Sequence, residues 1–307
     1  MTASPAVSVV IPTYNARACA RRAIDSALGQ TFGDIELLVI DDASTDGTAT
    51  FIEQAYRDEA RLRVLRLERN GGPARARNVG IKTAHGEWIA LLDADDAWRA
   101  GRIERLIAHA TGTDAVFDNL IGVDPETATE LGPLFPVFPT SLTAASLLAP
   151  QAPQSRHNFG YLKPLLRRDF LVQHSIAYDE SLRTSEDLLF YLTLLLEGAR
   201  ARMIHKALYL YTMGAGGGVS MHSHTRPRDD DVREALGRVL ARYSEQIDAG
   251  TAGAIEQRIR FLRHIAPISE FYFARHTRDY GRMAYLLARH VSVQREAVGK
   301  VFNLLRR

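Results

Sequence analysis

The sequence predicts an α/β protein with a mostly parallel sheet flanked by helices, followed by a helical extension at the C-terminal end. Short apolar runs alternate with segments of helical periodicity through the first half, which is the pattern of repeated β-α-β units. These runs are apolar almost without interruption, as in strands that are buried on both faces. After residue 230, apolar side chains recur at helical spacing in three further stretches.

Four predicted strands lie in the first hundred residues, at residues 7–11, 35–40, 62–67 and 88–92. A helix is predicted after each of the first three. The first is "ARRAIDSALGQ", the second begins near the capping hydroxyls of "STDGT", and the third carries a proline in the first turn of "GGPARARNVGIKTA". Right-handed crossovers of this kind place the strands side by side in one parallel sheet.

The second half has a less regular pattern. From residue 122 to 155, prolines, threonines and small residues dominate, which predicts loops and short elements. Helical periodicity returns in "YLKPLLRRDFLVQHS" and "SEDLLFYLTLLLEGA", "ARMIHKALYLYTM" has the pattern of one or two strands, and "GAGGGVSMHSHTRPRDDD" predicts a loop. We therefore predict a main domain at 1–225, with halves near 1–120 and 121–225, and a helical extension at 226–307.

The composition excludes several classes of protein. With 307 residues, 46% of them hydrophobic, the chain can bury a sizeable core, and a formal charge of +2 gives no reason to expect nucleic-acid binding. The single cysteine, Cys19, excludes a disulfide framework and favours a reducing compartment. No signal peptide is evident, and no stretch reaches the roughly 18 apolar residues of a spanning helix. A cytoplasmic location is expected, with contact at the inner face of the plasma membrane as an alternative.

Acidic side chains gather where the predicted strands end. The second strand leads into "DDAS" and the fourth into "DADD", while the first leads into "PTYN". In open α/β sheets, ligands bind outside the carboxyl ends of the strands. Helix capping and solvated loops explain part of this pattern but not two acidic clusters after buried strands. The alternate carboxylates of Asp93 and Asp95 suit one hard cation, Mg²⁺ or Mn²⁺, with positions left for phosphate oxygens.

Two common phosphate-binding motifs are missing. The sequence has no G-x-x-x-x-G-K-[ST], and no G-x-G-x-x-G follows the first strand. A sugar-nucleotide nucleotidyltransferase would be expected to carry a glycine-rich basic loop after the first strand, and "PTYNARA" has no glycines. That class stays open as an alternative, as does a non-catalytic module that binds a nucleotide-sugar.

Four stretches together resemble glycosyltransferase family 2, the inverting enzymes with a GT-A fold. They are "VSVVIPTYNA", "IELLVIDDASTDGT", "NGGPARARNVGIKTAHGEWIALLDADD" and "TSEDLLFYLTLLLEGA", and the resemblance runs in order over residues 7–211. "GYLKPLLRRDFL" also resembles the bacterial exopolysaccharide branch, such as the succinoglycan glycosyltransferases.

The resemblance implies a role for each matching position on the donor side. The nucleotide pocket would be lined by Pro12, Thr13, Tyr14 and Asn15. Asp42 would accept a hydrogen bond from uracil, with Glu36 nearby, and Arg77 would lie near the base or the phosphates. Asp93 and Asp95 form the D-x-D motif, with Asp96 adjoining. One or two of these aspartates would bind ribose and the metal that bridges the diphosphate, and we favour Asp95 for the metal.

On the acceptor side, the resemblance implies that Asp187 is the general base that takes the proton of the attacking hydroxyl. From the residues alone, the favoured role of Asp187 is that of an N-terminal helix cap with Glu186 beside it, and both roles can coexist. Related enzymes close a loop over the donor, which would bring His222 or His224 to the metal and Arg226 to the diphosphate. A mobile polar surface loop is an equal alternative for that stretch.

The predicted function is metal-dependent, inverting transfer of a sugar from a UDP-sugar, UDP-glucose or a close relative. The acceptor would be a growing exopolysaccharide or lipopolysaccharide oligosaccharide, free or lipid-linked. The last helices interleave arginines and lysine with apolar residues, from Arg282 to Arg307. We favour packing of these helices on the main domain or on a second subunit in a homodimer; a basic surface for anionic lipid is the alternative.

Overall fold

The structure is a computed structural model that describes residues 4–136, 139–149, 159–214 and 229–295. It divides into two compact units, Met1–Met221 and His222–Arg307. No helix within the described ranges is long and apolar enough to cross a membrane. The domain boundary at residue 225 and the division of the first unit near residue 120 stay predictions.

The described part of the first unit contains one mixed sheet of ten strands. The strands are β1 (Val7–Thr13), β2 (Ile35–Asp41), β3 (Leu62–Arg66), β4 (Trp88–Leu91), β5 (Ala97–Trp98), β6 (Ala115–Val123), β7 (Glu130–Pro133), β8 (Ser141–Leu142), β9 (Leu165–Arg167) and β10 (Ala201–Thr212). Their order is β3-β2-β1-β4-β9-β6-β10-β5, with β7 against β6 and β8 against β10.

Seven α-helices connect the strands within the described residues of this unit. They are α1 (Ala20–Leu28), α2 (Thr48–Ala55), α3 (Pro73–Thr83), α4 (Arg102–Ile107), α5 (Ala144–Leu148), α6 (Arg168–Gln173) and α7 (Glu186–Leu196). The first four strands are parallel neighbours, and β6 is parallel to β10. The predicted α/β class with a mostly parallel sheet flanked by helices is confirmed. Strand β9 is antiparallel to both β4 and β6 and so joins the two parts of the sheet.

Close packing of α3 on β1 depends on Gly80. A Cβ atom added at Gly80 would lie 2.3 Å from Cγ1 of Val10, so a larger residue could not occupy this position without moving the helix. Val10 itself is fully buried. This contact fixes α3, which carries Arg77, against the strand that leads to the candidate site.

A buried ion pair joins α4 to β6. The side chains of Arg102 and Asp118 are fully buried and 2.6 Å apart, and the Arg102 guanidinium also lies over the rings of Trp98 and Tyr209. Burial raises the pKa of Asp118 above its ordinary value, although the Arg102 charge acts in the opposite direction. Arg102 also donates a hydrogen bond to the backbone carbonyl of Lys163.

The second unit is helical where the structure describes it, with α8 (Asp229–Tyr243), α9 (Ala249–His276) and α10 (Tyr280–Arg289). Asp248 and Asp279 cap the last two helices through their carboxylates, which accept from backbone N–H groups three residues on. An apolar cluster around Phe271, Leu286 and Val293 packs α10 on α9.

The basic residues predicted for membrane contact are only partly described. Arg282 pairs with Glu270 at 2.8 Å and lies over the ring of Tyr285, and Arg289 lies over the same ring. The residues from 296 to 307 lie outside the described ranges. Membrane contact and a homodimer therefore stay predictions.

Candidate functional site

The candidate site lies at the edge of the sheet where β1, β2 and β4 end. The parallel register pairs Thr13 with Asp41 and Val10 with Leu91, so the three carboxyl ends meet at one edge. The backbone N–H of Asp42 donates to the carbonyl of Thr13 over 2.8 Å. The predicted acidic rim therefore forms from segments that are distant in the sequence.

The turn after β1 is fixed to the turn after β2. Asn15 has a positive φ of 48°, its N–H donates to Ser44 Oγ, and its Oδ1 accepts from the N–H of Thr45. Thr13 is buried, Pro12 is half-buried, and Tyr14 is 44% exposed. Of the predicted pocket residues in this turn, Tyr14 and Asn15 are therefore the ones exposed to solvent and to a ligand.

Asp42 organises the turn that precedes α3. Its carboxylate accepts from the N–H of Gly71 at 2.9 Å and from that of Gly72 at 2.6 Å. Gly72 has φ 87° and ψ 172°, a conformation essentially restricted to glycine. The Asp42 side chain is buried, and both of its oxygens accept from this turn, although a carboxylate offers about four acceptor positions in all.

Glu36 does not reach the candidate site, contrary to the prediction. It pairs with Ser8 near the start of β1 and β2, at the opposite end of the strands from Asp41. Its carboxylate accepts from Ser8 Oγ at 2.6 Å and from the N–H of His85 at 2.7 Å. These hydrogen bonds outweigh burial and lower the pKa of Glu36. They give Glu36 a structural role in joining β1 to the turn before β4.

The three aspartates of "DADD" have different surroundings. Asp96 is buried, and its carboxylate accepts from the Tyr209 hydroxyl and from the N–H of Thr212, both at 2.7 Å. Burial and the charges of Asp95 and Asp93 raise its pKa well above the ordinary value. With both oxygens already bonded within the protein, Asp96 does not suit the metal-binding role predicted for it.

Asp95 is half-buried, and its segment is fixed through the backbone. Its carbonyl accepts from Arg22 of α1 and from the Thr212 hydroxyl of β10. The described residues contain no group of three or more His, Cys, Asp or Glu side chains that could hold a metal ion. His222, His224 and Arg226, which the prediction places over the donor, lie outside the described residues.

Five buried or half-buried charged residues form what we call the Asp187 cluster. Its members are Arg77, Asp93, Lys163, Glu186 and Asp187. The Arg77 guanidinium lies 2.7 Å from Asp93, 2.9 Å from Glu186 and 3.5 Å from Asp187. The Lys163 ammonium lies 2.7 Å from Asp187 and 3.3 Å from Asp93. Two cations thus face three carboxylates, which leaves one negative charge in excess when all five are ionised.

The cluster changes the interpretation of Arg77 and Asp93. Arg77 is only 4% exposed, and its guanidinium is bound to carboxylates of the cluster. Its predicted place near the base or the phosphates stays a prediction. Burial opposes the charge of Asp93, but Lys163 and Arg77 outweigh it and hold its pKa below the ordinary value. Asp93 is therefore an ionised partner of two cations. It lies between the Asp187 cluster and the sheet edge where β1, β2 and β4 end, which we call the donor edge because the predicted donor-binding residues lie there.

Asp187 lies in the first turn of α7, after Ser185, which has φ 59°. Its side chain is not used to cap the helix. One oxygen, Oδ2, accepts from Lys163 at 2.7 Å, whereas the buried Oδ1 has no hydrogen-bond partner among the residues that the structure describes. A buried acceptor without a donor is unfavourable, so Oδ1 is suited to accept a hydrogen bond from a substrate hydroxyl.

Comparison with known proteins assigns the family. The sequence model described as "Glycosyl transferase family 2" matches residues 8–170, which is more than half of the chain. The chain belongs to glycosyltransferase family 2. This assignment confirms the resemblance and disfavours the alternative of a sugar-nucleotide nucleotidyltransferase.

Two relatives of this family 2 glycosyltransferase come from Rhizobium meliloti (strain 1021). The succinoglycan biosynthesis protein ExoU is 33% identical over 283 residues, which covers 90% of this chain and 81% of ExoU. The succinoglycan biosynthesis protein ExoO is 36% identical over 221 residues, 69% of this chain. The match spans 62% of ExoO, which is less than two thirds of its length.

Solved structures share the fold of this glycosyltransferase. Residues 1–349 of S. aureus TarS in complex with UDP-GlcNAc superpose with a TM-score of 0.65 at 24% identity, over 92% of this chain and 79% of that one. The mannosyltransferase PcManGT from Pyrobaculum calidifontis, in complex with GDP-Man and Mn²⁺, superposes with a TM-score of 0.61 at 18% identity. The match covers 99% of this chain and 81% of PcManGT. The predicted GT-A fold is confirmed.

The sequence predicts no site role for two charged members of the Asp187 cluster, Glu186 and Lys163. Lys163 lies inside the stretch "GYLKPLLRRDFL". A lysine enclosed by apolar neighbours is rarely fully buried unless it is paired, and this was the available indication. Its partners could not be inferred, because Asp93 and Asp187 lie 70 and 24 residues away.

Proposed function

We propose that this glycosyltransferase transfers a sugar from a UDP-sugar, UDP-glucose or a close relative, to a growing exopolysaccharide oligosaccharide, with inversion at the anomeric carbon. The observation that carries the proposal is the buried Oδ1 of Asp187, which makes no hydrogen bond to the described residues and lies in a cluster of two cations and three carboxylates. Such a group is suited to remove a proton from an acceptor hydroxyl.

On the donor side, Tyr14, Asn15 and Asp42 would bind the nucleoside. Tyr14 offers an exposed aromatic ring, and Asp42 retains acceptor positions for the N–H of a pyrimidine base. TarS is in complex with UDP-GlcNAc and PcManGT with GDP-Man, so the shared fold is compatible with more than one nucleotide. The choice of UDP rests on the sequence resemblance.

The carboxylate oxygens available at the site are compatible with a divalent cation. Mg²⁺ and Mn²⁺ are commonly bound by one or two carboxylates together with substrate phosphates and water, rather than by a cage made only of protein. We assign the ion to Asp95 on the sequence resemblance, which places this carboxylate in the D-x-D motif after β4. When bound, the ion neutralises charge that develops on the leaving diphosphate.

On the acceptor side, Asp187 would take the proton from the hydroxyl that attacks the anomeric carbon. With all five groups ionised, uptake of this proton would bring the formal charge of the cluster from −1 to zero. Burial, together with the Asp187 charge, raises the pKa of Glu186, but Glu186 already accepts from Arg77. Oδ1 of Asp187 makes no hydrogen bond to the described residues, which supports Asp187 as the base.

The acceptor class follows from the relatives. ExoU and ExoO are named as succinoglycan biosynthesis proteins, and ExoU matches over most of both chains. We therefore assign an oligosaccharide of a bacterial surface polysaccharide as the acceptor, free or lipid-linked.

The test is release of UDP from a panel of UDP-sugars, with Mn²⁺ and a lipid-linked oligosaccharide extract as the acceptor source. We expect one UDP-sugar to be consumed well above the others, and consumption to stop in EDTA. GDP-mannose is the matched control donor. Release of GDP instead of UDP, or equal turnover in EDTA, would contradict the proposed donor or the metal.

A further inference from the structure

We infer that Lys163 is a positioning residue that fixes the carboxylate of Asp187 relative to the donor edge of the site. The inference rests on the proposed function of Asp187 as the base. Lys163 is 4% exposed, and its ammonium is placed between two carboxylates, one from each side of the site. Its Nζ lies 2.7 Å from Oδ2 of Asp187 and 3.3 Å from Oδ2 of Asp93.

The backbone around Lys163 is held on both sides by buried side chains. The carbonyl of Leu162 accepts from the Tyr191 hydroxyl at 2.6 Å. The carbonyl of Lys163 accepts from Arg102, which is itself paired with Asp118. Because Tyr191 lies one turn after Asp187 on α7, the first contact ties the lysine segment to the helix that carries the base.

The strand register ties the same segment to the donor edge. Leu165, two residues after Lys163, pairs with Ala90 of β4 in an antiparallel register. The chain at Lys163 therefore runs beside the end of β4 as it approaches Asp93. Lys163 thus connects two parts of the site whose distance determines whether the hydroxyl, the base and the donor are aligned.

The hydrogen-bonding pattern orients the Asp187 carboxylate. Lys163 engages Oδ2 and leaves Oδ1 without a hydrogen bond among the described residues. Arg77 lies 3.5 Å from Oδ1, close enough for an ion pair but without a hydrogen bond. A lysine that fixes one oxygen in this way presents the other to the acceptor hydroxyl, and a small misplacement of a reacting group can be costly.

Asp93 keeps Lys163 paired when Asp187 becomes neutral. Burial disfavours the ammonium, but Asp187 and Asp93 outweigh it and hold the pKa of Lys163 well above its ordinary value. Lys163 therefore remains charged and is not the base. After proton transfer to Asp187, the contact with Asp93 still balances the lysine charge, so the step does not leave a buried cation unpaired.

The test compares Lys163→Met and Lys163→Arg with the control Lys82→Met, an exposed lysine of α3. For Lys163→Met we expect kcat to fall by roughly 10²-fold, as for a misplaced reacting group, with the KM for the UDP-sugar nearly unchanged. The acid limb of the kcat profile should move to higher pH, because loss of the cation favours the protonated carboxylate. Lys163→Arg, which keeps the charge, should restore the profile and part of kcat.

A double variant separates positioning from a structural role. If Lys163 acts through Asp187, adding Lys163→Met to Asp187→Asn should change the residual rate by no more than about twofold. An equal loss in both backgrounds, or full kcat in Lys163→Met, would overturn the inference. If Lys163→Met does not fold, as judged by circular dichroism, Lys163→Arg replaces it in the wild-type and Asp187→Asn backgrounds. A loss of kcat in the wild-type background alone supports the inference, and an equal loss in both overturns it. A wild-type protein that transfers no sugar would instead overturn the proposed function, and this inference with it.

Discussion

Replacing Asp187 by asparagine is expected to reduce sugar transfer by roughly 10²- to 10⁴-fold, the range found for loss of a general base. Asparagine keeps the shape of the side chain but cannot take a proton from the acceptor hydroxyl. UDP binding should persist, because Asp187 belongs to the acceptor side of the site. Initial rates of UDP release and the dissociation constant for UDP measure the two effects separately.

Two variants serve as controls for Asp187→Asn. Glu186→Gln removes the neighbouring carboxylate, which is bonded to Arg77, and should reduce transfer far less if Asp187 is the base. Asp169→Asn alters an exposed carboxylate of α6 and should leave transfer unchanged. Transfer by Asp187→Asn at the wild-type rate, or a larger loss in Glu186→Gln, would show that the base has been misassigned.

Replacing Asp118 by alanine is expected to lower the free energy of unfolding of the first unit by about 3–5 kcal/mol, as when one partner of a buried ion pair is removed. The change leaves the guanidinium of Arg102 fully buried without its counter-ion. Both tryptophans of the chain, Trp88 and Trp98, lie in strands of this unit. The fluorescence of these residues during urea unfolding therefore reports the effect.

A double replacement and an exposed pair provide the controls for Asp118→Ala. Arg102→Met combined with Asp118→Leu should be less destabilising than Asp118→Ala, because no charge is left buried. Glu130→Ala breaks the exposed pair with Arg99 and should cost about 1 kcal/mol or less. A cost for Asp118→Ala as small as that of Glu130→Ala would contradict the role assigned to the buried pair.

The first half of the fold could be predicted because burial leaves a clear pattern in the sequence. The runs at residues 7–11 and 35–40 correspond to β1 and β2 within two residues. A strand buried on both faces must be apolar throughout, and the turn residues between such runs mark the ends. The acidic rim was predictable for the same reason, since parallel strands bring their carboxyl ends to one edge.

The second half was harder to predict because short apolar runs fit a strand or a helix equally well. "YLKPLLRRDFLVQHS" was predicted to be helical, whereas Leu165–Arg167 is a strand and only Arg168–Gln173 is an α-helix. The strand forms because β4 and β6 supply hydrogen-bond partners on both sides. No local pattern contains that information.

The details of the site depend on partners that are distant in sequence. Asp96 and Glu36 have the residue type and motif of ligands. However, Asp96 is bonded to Tyr209 and Thr212. Glu36 is bonded to Ser8 and His85. Spacing predicts which carboxylates lie near one edge of a sheet. It does not predict which of them are already bonded within the protein.

Calorimetric titration of UDP, in Mn²⁺ and in EDTA, tests the central claim most directly, with GDP, CDP and ADP as comparison nucleotides. We predict that UDP binds most tightly and that EDTA weakens its binding by tenfold or more, about 1.4 kcal/mol. Asp95→Asn should reproduce the effect of EDTA, whereas Asp96→Asn should not if Asp95 holds the ion. Absence of nucleotide binding under all conditions, or UDP binding that is equally tight in EDTA, would contradict a metal-dependent UDP-sugar site.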